Sequence, residues 1–328
     1  MYIPESVPQK LVQFIQEGTR FLVAGHKEPD GDCVGSQLAL CSFLQRLGKQ
    51  AAPYSAGPFE RNEVAPYQER FFTSSTEENR SGARAIIVDC SSIDRIGDIA
   101  EAISGIPAAV IDHHAYGSLD TESPNLLIYL DQKAPSTTFM IYKLMEAMGY
   151  AINAEEAELL FLGLCTDTGF FRHIDADGAE AFLFASHLVR AGASPKHTYQ
   201  AMYGGKSLGS RRLMGAILAR TESHYDGKLL ISTEEYEDTQ RLGLESRDSD
   251  TLYQLLQSVS GIEAIAIIRQ ESAENCTIGL RSRDRVNVAT IAAQFGGGGH
   301  RNAAGAMAPG TTALLKPQII EAFRNLLS

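Results

Sequence analysis

Four short clusters in the chain place carboxylates and imidazoles where an apolar run gives out. AGHKEPDGDCVGS (24–36) carries His26, Asp30 and Asp32, and Gly31 lets the chain turn so that both carboxylates point to one spot. VDCSS (88–92) closes an apolar run with Asp89, and VIDHH (110–114) closes another with Asp112, His113 and His114. GLCTDTGFF (163–171) sets Asp167 between a helix end and a glycine turn. Mixed oxygen and nitrogen donors of this kind suit a divalent cation. Each cluster also has a plainer reading, with Asp32, Asp89 and Asp112 as caps of helices or turns. Four such clusters at four successive element ends favour metal ligation over four coincidental caps.

The elements that must position these residues read as strands alternating with helices. RFLVAG (20–25), ARAIIVDC (83–90), AAVIDHH (108–114) and NLLIYLD (125–131) are apolar and rich in β-branched residues, as parallel strands covered on both faces should be. Between and after them lie helical patterns at 33–48, 135–149, 154–169 and 177–192, the first two ending in glycine. Ligands of an open parallel sheet gather at the carboxyl ends of its strands, which is where the first three clusters fall. After Gly192 the pattern changes. Residues 193–212 mix turn formers with basic residues and read as a linker, in part helical. Beyond it come strands at 227–233, 261–270 and 275–283, a helix near Ser249–Val259, and the run VNVATIAAQFGGGGHRNAAGA (286–306). The expected layout is a metal-binding domain over 1–192, a linker over 193–212 and a smaller α+β domain over 213–328.

Composition limits the partners. At 328 residues the chain exceeds what one hydrophobic core serves well. It is 44% hydrophobic and 21% charged, with no apolar run near membrane-spanning length and no apolar leader in its first residues. The cytoplasm is the expected compartment, and five scattered cysteines without a C-x-x-C spacing fit it. A formal charge of −11 disfavours a coat for long duplex nucleic acid and points to small or very short phosphorylated substrates held by a local cationic pocket.

The ordered set H-x-x-x-D-x-D, V-D, D-H-H and T-D-T-G resembles the DHH phosphoesterase superfamily, and the closing GGGGHRNAAGA run resembles its DHH-associated C-terminal domain. Length and layout are most similar to the NrnA-like branch, oligoribonucleases that also dephosphorylate 3′-phosphoadenosine 5′-phosphate. The resemblance implies an α/β, doubly wound parallel-sheet domain plus a smaller α+β domain, with the active site in the cleft between them. It implies His26, Asp30 and Asp89 on one metal, and Asp32, Asp89, His113 and Asp167 on the other, with Asp89 bridging. Two divalent ions are expected, Mn²⁺ ahead of Mg²⁺ or Co²⁺, clamping the attacking and leaving oxygens. Asp112 is expected to orient His113, and His114 to meet the phosphate or act as an acid. Four carboxylates offset two divalent ions, so further cations are needed for an anionic substrate. Arg281, His300 and Arg301 are expected to supply them, with the backbone of Gly298 and Gly299 facing the anion.

The activity these residues imply is hydrolysis of nanoRNA or dinucleotides to monophosphates, with 3′-phosphoadenosine 5′-phosphate as a linked substrate. A cyclic di-AMP or linear dinucleotide phosphodiesterase would use the same ligands. A non-catalytic nucleotide sensor is the alternative from another class, disfavoured by a complete ligand set. No membrane partner is expected, and a homodimer is left open.

Overall fold

The structure, a computed structural model, describes residues 6–92, 95–114, 126–283 and 285–327. The chain divides into two compact units at Gly204 and Gly205. In the first, β1 (Arg20–Ala24), β2 (Gln50–Tyr54), β3 (Arg84–Val88), β4 (Ala108–Asp112) and β5 (Leu126–Leu130) form one parallel sheet in the order β2-β1-β3-β4-β5. Alternate residues feed two cores. Phe21, Val23, Ile86 and Val88 pack with the helices Gly31–Arg46, Thr137–Ala147 and Ala154–Asp167, whereas Leu22, Ala24, Ala85 and Ile87 pack with Ile99 and Ile103. Both faces are therefore covered, as the continuous apolar strands require.

β2 is not legible as a strand, because QAAPY is half exposed and contains Pro53. It lies at the end of the sheet order, where a missing amide donor is tolerated. Gln37, buried in the Gly31–Arg46 helix, donates its side-chain amide to Val23 O (2.9 Å) and Tyr54 O (2.8 Å), tying that helix under β1 and β2 at once.

The stretch expected as a linker is mostly helical. Ser194 caps the Pro195–Tyr203 helix through His197 N, and Ser207 caps the Leu208–Ala219 helix through Ser210 N. Ser-Pro here is a helix start, with proline at its first position, rather than a linker turn. Only residues 204–207 join the two helices, and the units part within them.

The second unit holds β6 (Glu222–His224), β7 (Leu229–Glu234), β8 (Ala264–Gln270), β9 (Asn275–Ser282), β10 (Gly298–His300) and β11 (Ala303–Pro309). They form a mixed sheet in the order β10-β11-β9-β8-β7-β6, with β7 and β8 parallel and the other neighbours antiparallel. The glycine tract is therefore half hairpin: Gly298 and Gly299 belong to β10. A Cβ on Gly297 or Gly299 would run into the backbone of β11, so those two are required by the hairpin itself. Among the described residues, no helix is long and apolar enough to cross a membrane.

Candidate metal centre

The strand order reverses between β1 and β3, the switch point where open α/β sheets leave a crevice for ligands. Each chain leaving that edge delivers a donor. His26 follows β1 by two residues, and its Nδ1 meets Lys27 O at 2.8 Å, which aims Nε2 inward. Asp89 follows β3 directly with φ of 54°, a left-handed turn that aspartate tolerates better than most residues. His113 follows β4, with its Nδ1 3.1 Å from Ala134 O. Asp167 ends the Ala154–Asp167 helix.

These donors converge. His26 Nε2 lies 3.4 Å from Asp89 Oδ2 and 3.7 Å from Asp30 Oδ1. On the other side, His113 Nε2 lies 3.9 Å from Asp89 Oδ1, 3.9 Å from Asp32 Oδ2 and 2.7 Å from Asp167 Oδ2. Asp89 thus offers one oxygen to each group. Its Oδ2 is buried without a hydrogen-bond partner. Such orphans are costly unless something absent from the polypeptide satisfies them. Divalent cation binding fits this donor set, and the six residues expected as ligands do come together.

Three details differ from the sequence expectations. Asp30, not Asp32, is the helix cap, since its side chain accepts from Asp32 N and Cys33 N. The Asp32 carboxylate instead accepts from Thr137 N (2.6 Å) and Thr138 N (2.9 Å), at the start of the Thr137–Ala147 helix. Asp112 does not orient His113. Its Oδ1 accepts from His114 N (3.0 Å) and faces His114 Nδ1 at 2.8 Å, while the Ala134 carbonyl takes His113. Thr137, which also donates its hydroxyl to Asp89 Oδ1 (3.2 Å), and Arg61, 3.8 Å from Asp30 Oδ2, were not foreseen. The Ser-Thr-Thr start of the later helix was the available signal for Thr137; nothing local marks Arg61. Cys33 also reaches His26 and Asp89. Burial raises its thiol to about 12 in the metal-free protein.

The electrostatics are those of a cage with excess negative charge. Burial raises the carboxyls of Asp32 and Asp167, and their neighbouring carboxylates add to it. For His113, burial opposes the charged ring, but Asp167 and Asp32 prevail and raise it to about 9. The hydrogen bonds of His114 to Asp112 and Asp89 raise it to about 10. Folded pKa values above their unfolded ones stabilise below the unfolded value and fade as pH rises through the folded value. The raised carboxyls act in the same sense, because ionisation penalises the folded state more than the unfolded chain. Chelator-treated protein should therefore lose stability as pH rises from about 6.5 through about 9 to 10. A bound cation displaces the protons of His113, Asp32 and Asp167, so thermal melts with Mn²⁺ should show a much smaller decline. Parallel pH profiles with and without metal would count against the cage.

In the second unit, Arg281 on β9 lies with its guanidinium 4.6 Å above the Tyr253 ring. Arg281, Gly298 and Gly299 share a cavity of about 400 Å³ with Ser249, Tyr253, Arg269 and Gly279. His300 and Arg301 are exposed and do not line it. Tyr253 and Arg269 escaped notice because each lies on an element read only for its apolar pattern.

Residues 20–164 match the DHH family N-terminal domain, and residues 226–328 match the DHHA1 domain. The bifunctional oligoribonuclease and PAP phosphatase NrnA of Thermus thermophilus is 31% identical over 88% of this chain and 84% of that protein. Its namesake in Bacillus subtilis is 26% identical over 90% of this chain and 92% of its own length. The crystal structure of an exopolyphosphatase-related protein from Bacteroides fragilis shares the fold, with TM-score 0.79, 22% identity and 99% coverage of both chains. The chain belongs to the DHH family of metal-dependent phosphoesterases, a DHH domain followed by a DHHA1 domain.

Proposed function

We propose that this chain hydrolyses very short oligoribonucleotides to nucleoside monophosphates in the cytoplasm, and also removes the 3′-phosphate of 3′-phosphoadenosine 5′-phosphate. The observation that carries the reading is Asp89, whose two oxygens face two separate donor groups. Its similarity to NrnA proteins over nearly the whole chain supports the substrate class. Two divalent cations held there, Mn²⁺ foremost, would supply Lewis acidity toward a phosphoryl oxygen and acidify water.

The chain's own residues divide the remaining work. Two backbone amides lock the Asp32 carboxylate, so its orientation costs nothing when the substrate arrives. His114 is partly exposed and held by Asp112 at 2.8 Å, which sets its ring to meet the substrate phosphate. Arg281, braced on Tyr253, serves as the phosphate clamp of the DHHA1 domain, with Gly298 and Gly299 lining the same cavity.

Mn²⁺-loaded protein should convert pGpG and pApA to monophosphates and dephosphorylate 3′-phosphoadenosine 5′-phosphate, each faster than it opens cyclic di-AMP. Arg281→Ala should raise KM for pApA about 10- to 100-fold, with a smaller loss of kcat and unchanged metal content. Faster turnover of cyclic di-AMP would redirect the substrate assignment, and metal loss in Arg281→Ala would remove Arg281 from the clamp.

A further inference from the structure

The turn after Asp167 runs through three consecutive left-handed residues, Gly169, Phe170 and Phe171, with φ of 56°, 57° and 69°. Glycine adopts this backbone freely, but bulky side chains adopt it only when their surroundings force it. Here the forcing contacts are visible. Phe170 N donates to Cys165 O (2.7 Å), Phe171 N to Thr168 Oγ1 (3.0 Å) and His173 N to Thr168 O (3.0 Å). The Thr168 hydroxyl is itself anchored, donating to Leu164 O at 2.6 Å.

This geometry spreads two phenyl rings into a shelf. Phe171 stacks on Phe182 with centroids 5.2 Å apart and planes 22° from parallel. Phe170 meets Tyr199 edge-on, with centroids at 5.3 Å and planes at 89°, and Tyr203 at 6.4 Å. Buried Phe161 supports both phenyl rings from below. The outer rings stay in water: Phe182 is 54% exposed and Tyr199 53%. A cluster serving only the core would bury these rings. One that begins three residues beyond Asp167 and leaves its outer rings half in water suits a flat π-system attached to a phosphate.

We infer that this shelf is the stacking site for a nucleobase beside the scissile phosphate, with Tyr199 and Phe182 as its contact rings. The inference deepens the nucleotide reading above and rests on it. Stacking tolerates any base, since every base has a π-face, so the shelf recognises that a base is present without selecting which one.

The test uses the full-length, Mn²⁺-loaded protein with pApA and with two pApA analogues, abasic at the 5′ or the 3′ nucleoside. Tyr199→Ala and Phe182→Ala change exposed side chains, so folding should survive. Each variant should raise KM for pApA about tenfold with kcat and metal content unchanged, and Tyr199→Phe should keep the wild-type KM. Wild-type protein should show the same rise on one abasic analogue, and Tyr199→Ala should add nothing further there. Equal losses on pApA and both analogues would make the shelf structural support only. Unchanged KM in both variants overturns the inference, as does a loss of self-association on size exclusion with pApA turnover intact, which would make the face an interface between copies. If wild-type protein does not turn over pApA at all, the nucleotide reading itself fails and the shelf's assignment falls with it.

Discussion

Asp89→Asn should lower kcat roughly 10³-fold, comparable to removing a principal electrostatic element of an active site, and should erase the thermal stabilisation that Mn²⁺ gives. Asparagine is nearly isosteric and accepts the left-handed backbone at φ of 54°, so the fold should hold. What it lacks is the second anionic oxygen, and with it the simultaneous hold on the groups around His26 and His113. A cation at a hundredfold excess over its Kd stabilises the folded state by about 2.7 kcal/mol. Wild-type protein should gain stability of that order on adding Mn²⁺, seen as a raised Tm, and Asp89→Asn almost none. Cys33→Ala, which keeps all six ligands, should behave as wild type in both assays. A variant lacking Asp89 that keeps near-normal turnover would remove it from the centre.

Gly35→Ala should destabilise the first unit by about 1–3 kcal/mol and weaken metal binding as well. A Cβ at Gly35 would fall inside the van der Waals shell of the Leu159 carbonyl oxygen, and a backbone atom in the middle of a helix cannot step aside. Relief comes only by moving the Gly31–Arg46 and Ala154–Asp167 helices apart. The first carries Asp32 and the second ends in Asp167, so the separation is transmitted to two candidate metal-binding carboxylates. Gly215→Ala is the control, since it lies in a helix with open space around its Cβ position and should be neutral or stabilising by about 0.5–1 kcal/mol. Equal melting temperatures for Gly35→Ala and wild type would show that the helices are not in close contact there.

The sequence was most readable where one physical requirement dominated. Strands β1, β3 and β4 are covered on both faces, so they had to be continuously apolar, and each was visible as such, as was the half-buried end strand β5. The six candidate metal-binding residues stood out because carboxylates and imidazoles at successive element ends have little other reason to recur. Relations between neighbours were less readable. His113 and His114 are adjacent, and nothing in the order Asp-His-His says which ring the aspartate takes; that depends on Ala134, which closes on His113 from another loop. The same holds for Asp32, whose amide partners lie more than a hundred residues away. The left-handed turn at Phe170 and Phe171 leaves no mark in the sequence at all, since the backbone is forced by Thr168 and the preceding helix.

The locking of Asp32 by Thr137 N and Thr138 N also bears on how the centre is assembled in time. Its donors come from segments as far apart as His26 and Asp167, and the lock forms only when the Thr137–Ala147 helix has docked beside the one carrying Asp32. Contacts of such long sequence separation carry the full loop-closure cost and tend to form late in folding. Cations should therefore find no competent cage in the early collapsed chain. Their effect should fall on the rate at which the finished protein comes apart, leaving the folding rate nearly untouched, so that metal acts here as a brake on unfolding.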